Sequence, residues 1–159
     1  MAVEFTFAHD TDKVFKLLCN ADFLVDRCLA LGEISADCTV EDDNQQIVVV
    51  LTREIERVLP PFLARLLDSR QTFEHVERWK QAKDTRHGSL LIRVSNQPVS
   101  VEAEMRLKPN PGGGCTYTVA HSVTANMPLI GRRVEGYLLT QMETNARAEL
   151  EYLESALRR

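Results

Sequence analysis

The side chains with the clearest chemical potential lie at alternate positions of two strand-like segments. Alternation places His75 and Glu77 on the same face as Trp79, and it places His121 on the same face as Tyr117. Imidazole, carboxyl and phenol groups that converge within hydrogen-bond reach can exchange protons with a bound molecule. The same groups can also orient the polar part of a ligand inside an otherwise apolar interior.

Further candidates come from a third strand-like segment and from the C-terminal segment. Arg53 is in phase with apolar Val49 and Leu51. Near the C-terminus, apolar residues recur at helical spacing, and Asn145 and Glu149 flank that stripe in projection. We expect Glu149 to lie at the solvated edge of the stripe or to pair with an arginine or lysine. The candidate ligand-binding residues are therefore Arg53, His75, Glu77, Trp79, Tyr117, His121, Leu138, Met142 and Asn145.

Each candidate also has a purely structural interpretation. A bulge or a shift of one residue would turn His75 and Glu77 towards solvent. His121 could be a core histidine that pairs internally, and Met142 could be a packing residue. The sequence predicts neither a catalytic motif nor a metal or cofactor site, because four histidines are scattered singly and four cysteines show no ligand spacing. Gly112 to Gly114 lack the residues of a phosphate loop and are expected to form a hairpin tip.

The elements that must position these residues follow from periodicity and from turn-forming residues. We predict strands at 3–9, 34–40, 46–54, 72–79, 87–95, 99–107 and 115–124. We predict helices at 13–18 and 21–31, a short helix from Pro61 to Leu67, and a long helix capped by Asn126 that runs to about Leu157.

Length and composition limit the number of domains and the classes of function that the chain can have. The chain has 159 residues, 44% of them apolar and 6% aromatic, which fits one folded domain spanning residues 1–159. A net charge of −4 argues against a nucleic-acid partner. No segment has the pattern of a signal peptide or a membrane span, and the cysteines fit free thiols, so we expect a cytoplasmic protein.

This order of elements resembles the helix-grip fold of the START-like (SRPBCC) superfamily. The resemblance rests on Val14–Leu18 with Phe23-Leu24, on Arg53–Ile55 followed by Leu59-Pro60, on Trp79 and on Met127–Gly131. Within that superfamily the chain is similar to a bacterial family of unknown function. The resemblance implies an α+β fold with two short helices after the first strand. It also implies a curved antiparallel sheet of six to seven strands wrapped around a long C-terminal helix.

The resemblance further implies a cavity between the sheet and that helix. The low aromatic content leads us to expect this cavity to be partly open. Because the third and fourth strands are neighbours in the fold, we expect Arg53 to pair with Glu77. The segment from Val58 to Leu67 could be a lid, a dimer contact or ordinary core packing.

Three functions fit these features. The first is binding of a hydrophobic small molecule, lipid-like or isoprenoid-like, by a carrier or sensor that needs no cofactor. The second is an enzyme like the polyketide cyclases, using acid–base residues in the same cavity. The third is a protein-interaction or chaperone-like module, with a homodimer as one form, that uses the helix after Pro60-Pro61 or the sheet edge.

Overall fold

The computed structural model describes residues 2–159 as seven strands and four helices. The strands β1 to β7 are Ala2–Phe7, Ser35–Asp42, Ile47–Glu56, Arg70–Ala82, Thr85–Val94, Val99–Pro109 and Cys115–Ala125. The helices α1 to α4 are Thr11–Leu18, Ala21–Ala30, Pro61–Ala64 and Gly131–Leu157. Every segment predicted from periodicity is present, and most boundaries differ by one to three residues.

One antiparallel sheet contains all seven strands, in the order β1-β7-β6-β5-β4-β3-β2. The chain therefore forms a meander from β2 to β7, and β1 closes the far edge beside β7. The sheet is curved around α4, which packs on β7 and β1. This arrangement is the α+β helix-grip fold that the order of elements predicts.

The core lies between the concave face of the sheet and α4. In β6, Val101, Met105 and Leu107 are buried while the alternating charged residues are exposed, which is the pattern of a sheet with one solvated face. Helix α4 has 27 residues and is about 40 Å long at 1.5 Å per residue. Its buried stripe consists of Val134, Leu138, Met142, Leu150 and Leu153.

The start of α4 corrects the prediction that Asn126 caps this helix. The helix begins at Gly131, because Leu129 has a left-handed backbone with φ of 70° that no α-helix accommodates. Gly131 also approaches the carbonyl oxygen of Ala125 so closely that a Cβ atom there would lie 2.7 Å from it. The carboxylate of Glu135 accepts a hydrogen bond from the Ala125 amide at 2.9 Å and fixes this corner.

The segment that follows Pro60 packs largely against the core of the same domain. Pro61 is the first residue of α3, where a missing amide proton costs nothing, and Leu63 and Leu67 are buried. The helix ends at Ala64, which is earlier than predicted. Val58 is 97% exposed beside it.

No helix within residues 2–159 combines the length and apolarity needed to cross a membrane.

Candidate functional site

A small cavity of about 60 Å³ lies between the sheet and α4. Its apolar wall consists of Leu18, Leu24, Phe73, Leu90, Ile92, Met105, Val119, Met142, Ala146 and Leu150. Its polar wall consists of Arg27, Arg53, His75, Glu77, Tyr117, His121, Asn145 and Glu149. The volume corresponds to about two water molecules at roughly 30 Å³ each.

The expectation of a partly open interior is therefore met only on a small scale. Trp79 is 1% exposed and packs in the core beside the cavity without lining it. Its ring meets that of Phe15 edge-on at 5.4 Å and that of Tyr117 at 6.4 Å. Part of the interior beside the cavity is therefore filled by one large aromatic side chain.

Three residues of β4 form a hydrogen-bonded chain on the inner face of the sheet. The Trp79 indole N–H donates to Glu77 Oε1 at 2.8 Å, and His75 Nε2 lies 2.6 Å from Glu77 Oε2. Burial by itself would raise the pKa of the Glu77 carboxyl, but these hydrogen bonds and the charge of Arg27 outweigh it and hold the pKa below its usual value. The carboxylate is therefore ionised, and it holds the His75 ring by one nitrogen.

Several polar atoms of the cavity wall have no hydrogen-bond partner among residues 2–159. They are Arg27 Nε, His75 Nδ1 and His121 Nδ1, and all are inaccessible to solvent. Burial also lowers the pKa of His121 and raises that of Tyr117. Because unpaired buried polar groups are costly, these atoms fit hydrogen bonds to water or to a polar ligand group.

A buried ionic network closes one end of the cavity. Arg53 donates from Nε to Glu33 at 2.8 Å and from Nη2 to both Glu33 and Glu149, the latter at 3.1 Å. Arg27 Nη2 lies 3.5 Å from the same Glu149 oxygen. Burial would raise the pKa of Glu149, but Arg27 and Arg53 outweigh it and lower the pKa to about 2.

The predicted pair of Arg53 with Glu77 is wrong. In the register of β3 with β4, Arg53 lies opposite Phe73 and Glu77 lies opposite Val49. The two side chains are four positions apart along the sheet, or about 13 Å at 3.3 Å per residue. Arg53 instead reaches Glu33, just before β2, and Glu149 on α4.

A larger cleft of about 420 Å³ opens outside the ionic network. It is lined by Leu31, Gly32, Glu33, Arg53, Ile55, Glu56, Arg57, Val58, Tyr137, Gln141, Asn145, Ala148 and Glu149. Arg53, Asn145 and Glu149 line both the cleft and the inner cavity. We refer to these three side chains as the partition.

Seven of the nine candidate residues line the inner cavity, namely Arg53, His75, Glu77, Tyr117, His121, Met142 and Asn145. Trp79 and Leu138 do not line it, because both are packed into the core beside it. The candidate set omitted Glu33, Glu149, Arg27 and Arg57. Arg27 carried one usable signal, since it follows Leu24 by three residues and so lies on the apolar face of α2. Arg57 continues the alternation of Arg53 and Ile55 one residue past the end of β3, so its phase was a usable signal as well.

No group of three or more histidine, cysteine or acidic residues within residues 2–159 has the geometry of a metal site. The four cysteines are free thiols. Burial raises the pKa of Cys19 and Cys28 to about 12 and that of Cys38 and Cys115 to about 11. Such thiols are poor nucleophiles and metal ligands at neutral pH.

A family model described as "Protein of unknown function (DUF2505)" matches residues 2–157. No curated protein matches the chain. Among solved structures, a protein from Thermus thermophilus has a TM-score of 0.61 at 13% identity, covering 98% of this chain and 94% of its own. An uncharacterized protein from Rhizobium leguminosarum has a TM-score of 0.59 at 13% identity, covering 100% and 93%. Ara h 8.0201 has a TM-score of 0.56 at 15% identity, covering 98% and 97%. At these identities the likeness concerns the fold alone.

Proposed function

The chain belongs to the DUF2505 family of proteins of unknown function, and from its own interior we propose that it binds a hydrophobic small molecule, lipid-like or isoprenoid-like, as a carrier or sensor. Kinship with the START-like superfamily is part of this proposal and is supported by the fold. The observation that carries the proposal is the pairing of a cleft with a polar-walled cavity through the shared partition.

The cleft supports the proposal by its size and lining. Its volume of about 420 Å³ lies within the roughly 300–1,000 Å³ range of small-molecule sites. Leu31 and Val58 are exposed apolar side chains at its rim, and Ile55 is buried within it. An apolar molecule in the cleft would cover these surfaces and gain the free energy of removing them from water.

The inner cavity supplies the polar contacts. At about 60 Å³ it accommodates only a small group unless the partition moves. The partition consists of side chains, so rotation of Glu149 and Asn145 would join cavity and cleft without unfolding α4. The unpaired Nδ1 atoms of His75 and His121 would then meet a hydroxyl or carbonyl group at the buried end of the ligand.

The experiment is a fluorescence titration with N-phenylnaphthylamine, a neutral apolar dye that brightens in apolar sites. We expect saturable binding to the wild-type protein. Ala148→Trp should weaken it at least about tenfold, because Ala148 lines the cleft on α4. Ser155→Trp is the matched control, since Ser155 is exposed on the same helix outside the linings of cleft and cavity. Absence of saturable binding, or equal affinity of both variants, contradicts the proposal.

A second candidate is acid–base catalysis in the same cavity, and the His75–Glu77–Trp79 chain favours it. A carboxylate that holds one imidazole nitrogen leaves the other free to accept a proton from a substrate. A direct test is proton exchange, in heavy water, at the carbon between the two carbonyls of a small diketone. Exchange above the uncatalysed rate that is lost in His75→Gln supports this candidate, and no exchange by the wild-type protein removes it.

A further inference from the structure

Arg57 differs from the other arginines that line the cleft or the cavity. Arg27 and Arg53 both pair with Glu149, and Arg53 also pairs with Glu33. Arg57 makes no ion pair with any carboxylate of residues 2–159. Its Nη1 atom is also inaccessible to solvent and has no hydrogen-bond partner in that range.

Arg57 is nevertheless held in place. Its amide donates to the Ser69 carbonyl oxygen at 2.8 Å, immediately after β3 ends. Its guanidinium carbon lies 5.6 Å from the centroid of the Phe73 ring, within the range of a cation–π contact. Burial and the nearby charge of Arg53 lower the pKa of Arg57, which shows that the surroundings disfavour its charge.

The acidic groups of the cleft make no ion pair with Arg57, although the nearby charge of Glu33 favours its charged form. Glu33 and Glu149 are neutralised by Arg53 and Arg27 in the ionic network. Glu56, the neighbour of Arg57 in sequence, is exposed and makes no ion pair with it. A half-buried guanidinium with free donors in a cleft of mixed polar and apolar lining is the kind of group that binds a carboxylate, sulfonate or phosphate.

We propose that the ligand is an anionic amphiphile whose acidic group binds Arg57 in the cleft, with its apolar body against the exposed apolar side chains of Leu31 and Val58. This inference rests on the proposed function and names the ligand class. Leu31 and Ile55 line the same cleft and provide apolar surface for the body of the molecule.

The test compares two dyes with one skeleton, neutral N-phenylnaphthylamine and its sulfonate, anilinonaphthalene sulfonate. We expect the sulfonate to bind the wild-type protein more tightly. Arg57→Gln should weaken sulfonate binding about ten- to hundredfold, as expected for loss of a charged hydrogen bond, and leave the neutral dye unchanged. Arg57→Lys should restore part of the difference, because it keeps the charge but not the planar fork.

The outcomes separate this inference from the proposed function. If neither dye binds, the proposed function fails and the inference fails with it. If both dyes bind equally and Arg57→Gln changes neither, the binding function stands but the anionic class is wrong. If Arg57→Gln weakens both dyes alike, Arg57 only shapes the cleft and the inference is also wrong. Thermal unfolding of each variant establishes that it is folded.

Discussion

Replacing Glu149 with glutamine removes the carboxylate that two buried arginines share. Arg53 keeps its pair with Glu33, whereas Arg27 loses its only ion-pair partner within residues 2–159. The Arg27 side chain is 6% exposed, so bulk solvent does not reach it, and the few water molecules that the small cavity can hold are a poor substitute for a carboxylate. An isolated charge in such a place is the expensive outcome of breaking a buried ion pair.

The loss of unfolding free energy in E149Q follows from two independent comparisons. Breaking a buried ion pair by removing one partner typically costs about 3–5 kcal/mol. The pKa of Glu149 falls from 4.5 to about 2 on folding, and at 1.36 kcal/mol per pKa unit this corresponds to about 3 kcal/mol. We therefore expect E149Q to lose about 3 kcal/mol of unfolding free energy at neutral pH.

The pH dependence of this loss follows from the direction in which folding shifts the pKa of Glu149. Because folding depresses the pKa of Glu149, its contribution is fully present above pH 4.5 and is lost as the pH falls towards about 2. The stability difference between wild type and E149Q should therefore shrink across this window. Arg27→Met combined with E149Q should recover much of the stability, because it removes the unpaired charge.

The assay is urea unfolding of wild type, E149Q and a control, E154Q, at several pH values. Glu154 lies on the same helix and pairs with Arg158, which is 71% exposed, so E154Q should cost less than about 1 kcal/mol. A loss below about 1 kcal/mol for E149Q at neutral pH, or a difference that stays constant as the pH falls, would refute the reasoning about the network.

Four further predictions concern single residues. Gly88→Ala places a methyl group 2.7 Å from a Met105 carbon and 2.8 Å from a Trp79 ring carbon, so it should cost about 1–3 kcal/mol and change tryptophan fluorescence. Gly136→Ala, with nothing within 4 Å, should stabilise α4 by up to about 1 kcal/mol, and denaturant unfolding compares the two variants. An NMR titration of His121 should give a midpoint below pH 6.5, because burial lowers its pKa. The free energy of unfolding should therefore fall as the pH drops below 6.5. A midpoint at or above 6.5 would contradict the burial of this ring. Cys115 should react slowly with a thiol reagent in the folded protein and quickly in urea, because burial raises its pKa to about 11; equal rates would contradict that environment.

The faces of the strands were predictable because alternation is a local property. His75, Glu77 and Tyr117 line the concave face as their phase with apolar neighbours indicates. The partner of Arg53 was not predictable, since Glu33 and Glu149 reach it from distant parts of the chain. Only the three-dimensional path of the segment before β2 and of α4 brings them together.

Two other features depend on detail that periodicity does not contain. The start of α4 is set by the left-handed backbone of Leu129 and by the contact of Gly131 with Ala125, and not by the capping residue Asn126. The place of the buried Trp79 ring, edge-on to Phe15 beside the cavity, is the other. Composition predicts how much side-chain volume is available but not where each ring packs.

The most direct test of small-molecule binding is an NMR titration of isotope-labelled protein with N-phenylnaphthylamine. We expect saturable amide shifts at cleft residues such as Gly32, Val58 and Tyr137, and at Asn145 in the partition. We expect none at Lys83, which lies just past the end of β4 and outside the linings of cleft and cavity. Absence of saturable shifts, or shifts centred on Lys83, would contradict a ligand site between the sheet and α4.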